Sequence, residues 1–148
     1  MELLVSVAII AILSVIAFGQ YRQSMIKAND VQRKGDLNSL YKALLMVYND
    51  TGVFLTNDEI DWGGELVGLD GTVYMKQVPQ DPNSSSPYFV QTADDDKKMA
   101  IFAVLENPED IEYNKYCLAG YAAGGLTYHY VIFSPNTSAA DFPVTCAP

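Results

Sequence analysis

Leu3–Phe18 reads LLVSVAIIAILSVIAF, sixteen residues without a charge, a proline or a glycine. Ser6 and Ser14 are its only polar members. As a helix it spans about 24 Å at 1.5 Å per residue. A bilayer core is about 30 Å thick and takes about 20 residues, so the stretch is slightly short for a comfortable span. A helix that is apolar all round must be buried on every side, and a chain of 148 residues has little interior to surround one. Three readings stand: a membrane or assembly anchor, a buried core helix, and a secretory signal peptide with Ala17-Phe18-Gly19 as its small-x-small cleavage site. The third lacks a basic leading region and carries Glu2 ahead of the apolar run. Glu2 either sits at a membrane surface, or lies in hydrocarbon and needs a partner, or caps a solvated helix start, where the dipole favours an acid.

Outward from this stretch the pattern changes. Gly19 ends the apolar run, and a helical Gly costs about 1 kcal/mol relative to Ala, so a break or kink is expected there. Leu37, Leu40, Tyr41, Leu44, Leu45 and Tyr48 then recur at i, i+3, i+4, i+7, i+8 and i+11, which is one helical face. Arg22, Lys27, Arg33, Lys34, Asp36 and Lys42 fall on or near the remaining faces. Asn29-Asp30 and Gly35 lower the local propensity. The expectation is one long helix over about 2–48, ending at Asn49-Asp50-Thr51-Gly52.

Charge divides the chain at the same place. The net charge is −9. Residues 1–48 hold five bases and three acids, whereas residues 49–148 hold four bases and fifteen acids. A pI of 4.3 speaks against a nucleic-acid-binding surface, which is usually basic. A hydrophobic content of 49% speaks against general disorder.

With the helix and its apolar start in view, Met1-Glu2-Leu3-Leu4-Val5-Ser6-Val7-Ala8-Ile9-Ile10-Ala11-Ile12-Leu13 resembles the N-terminus of type IV pilins and type II secretion pseudopilins. In that family a cleaved glycine precedes Phe-Thr-Leu-x-Glu-Leu-Leu and about fifteen apolar residues. The match begins at the x-Glu-Leu-Leu part. The resemblance implies three further residues ahead of Met1, which bring the span to about 20 residues, and a leader peptide before them. It implies a helix breaker at Gly19, where the family often has Pro, and an assembly role for Glu2 as partner of a neighbouring subunit's N-terminal amine. Opposite charges that neutralise each other only in the assembled state give register more than net energy.

Residues 53–148 read as short strands and turns. Thr51–Lys76 is loop-like, with Asn57-Asp58, Gly63-Gly64 and Asp70-Gly71 as turn signals. Val78-Pro79-Gln80-Asp81-Pro82, with Tyr74 ahead of it, resembles the Pro-x-Asp-Pro element that precedes the first sheet strand in pseudopilins and their close pilin relatives. Two prolines three apart force an extended connection. Strands are expected at Tyr88–Thr92, Met99–Leu105 and Leu126–Phe133, with Asp94-Asp95-Asp96-Lys97-Lys98 as the turn between the first two. The fold class expected is α+β: a long N-terminal helix packed through its Leu37–Tyr48 face under a small antiparallel sheet. It divides into 1–18 as transmembrane or filament-core segment, 19–50 as amphipathic continuation, and 51–148 as head. An exported head with two cysteines, Cys117 and Cys146, suggests one disulfide, worth about 3.5 kcal/mol for a loop of about 30 residues, with two free buried thiols as the alternative.

Catalytic signals are absent. There is no Gly-rich phosphate loop and no nucleophile elbow. His129 stands mid-strand between two tyrosines without zinc-spaced partners and reads as a sheet-face residue. The acidic runs with Asp58 and Asp61, and with Asp94, Asp95 and Asp96, are weak calcium candidates, for they lack EF-hand spacing; otherwise no cofactor is expected. Asn49, Asn83 and Asn136 open Asn-x-Ser/Thr sequons in expected loops, and Ser84-Ser85-Ser86 is a candidate for O-linked sugar.

The resemblance implies a structural subunit that waits in the bacterial inner membrane and then polymerises into a surface type IV pilus. Its partners would be copies of itself, a prepilin peptidase and the pilus assembly machinery, with no nucleic acid along the shaft. The main alternative is the major pseudopilin of a type II secretion system. A monomeric membrane-anchored binding domain is a third.

Overall fold

A computed structural model describes residues 2–83, 85, 87–113, 115, 116, 122, 123 and 126–142, the side chains at 2, 16–19, 122 and 123 excepted. One helix, α1, runs from Glu2 to Thr51, about 75 Å at 1.5 Å per residue. The expected break at Gly19 is not seen, because α1 continues through it. One helical glycine costs about 1 kcal/mol, and an unbroken hydrogen-bond ladder on both sides outweighs that. The helix ends at Thr51, within the expected Asn49–Gly52 stretch. It stops where Gly52 turns left-handed (φ +80°) and its N–H donates to the Tyr48 carbonyl at 2.8 Å, an αL cap that glycine takes without a Cβ clash.

Between α1 and the main sheet the backbone forms more structure than a loop. A 3-10 turn covers Asn57–Glu59. Leu66–Val67 (β1) and Val73–Met75 (β2) pair antiparallel. The connection uses Gly71 at φ +82°, with the Asp70 carboxylate accepting from the Thr72 N–H and hydroxyl. Two- and three-residue strands are too short to show an alternation. The Tyr74 hydroxyl donates to Asp50 at 2.8 Å, tying this hairpin to the end of α1 and pushing the phenol pKa up to about 12.

The main sheet has three antiparallel strands, Phe89–Ala93 (β3), Lys98–Ala103 (β4) and Tyr130–Phe133 (β7), in the order β3-β4-β7. Val90 stands opposite Ile101, and Ile101 opposite Ile132. The central strand β4 is covered on both faces. Met99, Ile101 and Ala103 join Leu37, Leu40, Leu44 and Val47 of α1, while Ala100 and Phe102 pack with Tyr128, Val131 and Phe142 on the far side. Period-two alternation explains the division. The Asp94–Asp96 turn joins β3 to β4 as expected, with all three aspartates at φ between +52° and +59°.

The expected single strand over 126–133 is split. Leu126–Thr127 (β6) pairs with Ala122–Ala123 (β5) instead, and Tyr128 and His129 lie outside the strands. The Tyr128 ring is drawn into the second cluster, 5.8 Å from Phe102 and 6.1 Å from Phe89. The His129 N–H donates to the Ala103 carbonyl at the end of the ladder. The architecture is therefore α+β, one long N-terminal helix packed against small antiparallel sheets.

Candidate functional site

Among the described residues, the apolar side chains of the first half of α1 stand exposed. Leu3, Leu4, Val5, Val7, Ile9 and Ile10 are exposed, as are Ile12, Leu13 and Val15. Even the least exposed, Ile9, shows 53% of its surface. So continuous an exposed apolar surface is larger than a monomeric soluble head ordinarily shows. The Ser14 hydroxyl is bonded to the Ile10 carbonyl at 2.7 Å and that of Ser24 to the Gln20 carbonyl at 3.0 Å. The helix thus satisfies these polar groups internally, as an apolar surround requires. By length and composition α1 could cross a membrane, with a mean hydropathy of 2.5 over its most apolar window.

The head begins at Asp30. Arg33 is fully buried and not on a solvated face as its charge suggested. Its Nη1 donates to Asp30 at 2.8 Å, its Nε and Nη2 fork onto Asp81, and Nη2 also reaches Glu106 at 2.6 Å. Asp30 in turn accepts from the N–H groups of Glu106 and Asn107. One helical turn thus grips two separate loops, the Pro-x-Asp-Pro connection and the segment after β4. Burial alone would lower the Arg33 pKa, but the bonds to Asp81, Glu106 and Asp30 outweigh it and hold the guanidinium charged. Lys34 adds an ion pair to Asp110 at 2.5 Å and keeps that carboxyl below the ordinary range. Tyr88 donates to Asp36 at 2.9 Å; burial, then this bond, raise its phenol pKa. The sequence signal for the cluster was present: 30, 33, 37, 40, 44 and 47 continue one helical face.

The other candidate positions are dispersed. Glu2 lies in the first turn of α1. Cys117 and Cys146, and with them the expected disulfide, lie outside the described residues. Asp58 lies within the 3-10 turn and Asp61 just after it, while Asp94, Asp95 and Asp96 make the β3–β4 hairpin. Asp96 is spent on Thr92 and Asp94 lies 3.8 Å from Lys98. Among the described residues no three histidines, cysteines or acids converge to hold a metal ion. His129 is not a sheet-face residue. Its ring stacks on Tyr113 at 4.4 Å, burial lowers its pKa, and its Nδ1 finds no hydrogen-bond partner among the described residues. Of the three sequons, Asn83 and Asn136 are in loops, but Asn49 is in the last turn of α1. Ser85 is exposed in the Asn83 loop, and positions 84 and 86 lie outside the described residues.

Compared with known proteins, the chain matches no family model, no curated protein and no solved structure.

Proposed function

We propose that this chain is a structural subunit that polymerises through its N-terminal helix into a filament of the type IV pilus kind. The observation that carries the reading is the bare apolar surface over Leu3–Val15, on the same helix that frames the head. Such a surface has two resting places, lipid and a bundle of its own copies. Apolar burial at about 25 cal/mol per Å² drives the second as well as the first accommodates it. Displacement along a helical axis gives a head-to-tail contact that does not close, hence a filament. Glu2 at the helix start then fixes the stagger by pairing with a cation of the neighbouring copy, and the acidic head stays outside. Catalysis and cofactors have no part in this role.

The test is electron microscopy of material sheared from the cell surface, with mass spectrometry of the subunit. Filaments built mainly of this chain are expected, and Glu2→Ala should abolish or slow their assembly. Normal filaments in Glu2→Ala would defeat the assembly role. An unaffected membrane-bound monomer would support an anchored binding domain instead. A second reading, the major pseudopilin of a secretion system, is favoured by Asp81 of the Pro-x-Asp-Pro element, which is locked onto Arg33. Short envelope-confined fibres and a head stabilised by added calcium would select it.

A further inference from the structure

Ile111 is exposed to 90%, more than any other large apolar side chain among the described residues. It stands at the tip of a fixed turn, for the Asp110 carboxylate accepts from Lys34 of α1 at 2.5 Å and from the Glu112 N–H at 2.8 Å. Glu109, Asp110 and Glu112 surround it with negative charge. Asp110 and Glu112 have cations of their own, Lys34 and Lys115. Glu109 has no ion-pair partner among the described residues. The complementary chemistry stands on the stem. Residues 3–29 carry two cations, Arg22 and Lys27, and no acid. Tyr21 and Met25 are exposed and share one helical face, four residues apart. Arg22 flanks them, and it too lacks an ion-pair partner among the described residues.

The helix sets the two features against each other. Lys34, which holds the Ile111 turn, follows Met25 by nine residues, or about two and a half turns. The turn and the Tyr21–Met25 face therefore look to roughly opposite sides of α1. They are about 14 Å apart along its axis at 1.5 Å per residue. One molecule cannot bring them together. A parallel copy alongside, displaced about 14 Å toward the head end, can, and it leaves its own turn free for the next copy. Such a contact propagates without closing.

We infer that the Ile111 turn of one copy docks on Tyr21, Arg22 and Met25 of the next, with Glu109 pairing with Arg22. The inference rests on the filament reading and deepens it by naming a contact between copies. Ile111 covers the exposed faces of Tyr21 and Met25, and the unpaired acid meets the unpaired base at the rim. Lys27 does not take part. It precedes Lys34 by seven residues and so lies on the side of α1 that carries the turn, away from the Tyr21–Met25 face.

The test uses the full chain in its own cells, with Met25→Cys and Ile111→Cys as probes. Both positions are exposed, so the substitutions leave the fold intact. With both on one chain, non-reducing gels of sheared filaments should show a ladder of multimers that a reductant removes. With one on each of two co-expressed chains, linking should stop at dimers. The wild type and each single variant control for Cys117 and Cys146. A disulfide needs Cα atoms about 4.4–6.8 Å apart, so loose proximity does not produce the ladder. Charge exchange is the second measurement. Arg22→Glu and Glu109→Arg should each lower the ratio of sheared to membrane-bound subunit several-fold, and the two together should recover most of it. Glu109→Arg should not rescue Lys27→Glu. Filaments without the ladder, an exchange without recovery, or equal rescue of Lys27→Glu overturns the contact and leaves the filament reading standing. A wild type that forms no filaments defeats the filament reading, and this contact with it.

Discussion

Arg33 is surrounded by three carboxylates at 2.6–2.8 Å, two of which, on Asp30 and Asp81, are almost wholly out of water. Removing the cation strands them. Arg33→Met is therefore expected to cost about 3–5 kcal/mol in urea denaturation of the detergent-solubilised chain. Arg33→Lys should recover only part of the loss, because an ammonium cannot fork onto Asp81 while reaching the other two acids. The pH dependence has a defined sign. Lys98 holds the Asp141 pKa at about 2, and Lys34 holds Asp110 below the ordinary range. Carboxyls depressed in the folded state contribute stability above their unfolded pKa, about 3.9, and lose it as pH falls through the folded value. The melting temperature should be insensitive to these pairs above about pH 5 and fall between about pH 4 and 2; Lys98→Met and Lys34→Met should each flatten that fall. Sequence reading missed Arg33 because a charged side chain is usually solvated. The position was nevertheless legible, since Asp30 and Arg33 extend the spacing of Leu37, Leu40 and Leu44.

At the scale of elements, the buried face of α1 was readable because six apolar residues at regular spacing from Leu37 to Tyr48 outvote local propensity. Leu40→Ala removes a fully buried side chain and should cost about 2–5 kcal/mol, measured by the same denaturation. The β3–β4 hairpin was readable from its aspartate run, but not its backbone. Three successive left-handed residues without a glycine are costly, since the Cβ crowds the following carbonyl. Asp95 is exposed, and Asp95→Gly should raise stability by about 0.5–1 kcal/mol, seen as a higher melting temperature. The split of the last strand could not be read. LTYHYVIF has the composition of one strand, and only the tertiary pull on Tyr128 divides it. The helix likewise ran through Gly19 because cooperativity along a ladder is not visible in a single-residue propensity.

For the whole molecule, the division of charge and apolar surface maps onto α1. Its first part is bare, and the part from Asp30 on is packed under an acidic head. Among the described residues the core uses no side chain before Asp30. A chain lacking residues 1–19 should therefore be a detergent-independent monomer by size-exclusion chromatography, with a denaturation midpoint equal to that of the full chain. Aggregation or a lowered midpoint would show that the stalk stabilises the head. The position of the Arg33 cluster has a mechanical consequence. A pull on the bare end of α1 enters the head at Asp30 and Arg33 before it reaches any of the leucines. The bonds of Arg33 to Asp81 and Glu106, and those that Asp30 accepts from Glu106 and Asn107, cross from the helix onto two loops that lie far apart in the chain. Tension is thus met first as shear shared across several short ionic contacts, not as a peeling force that opens the apolar layer one side chain at a time. The junction acts as a strain relief for everything behind it.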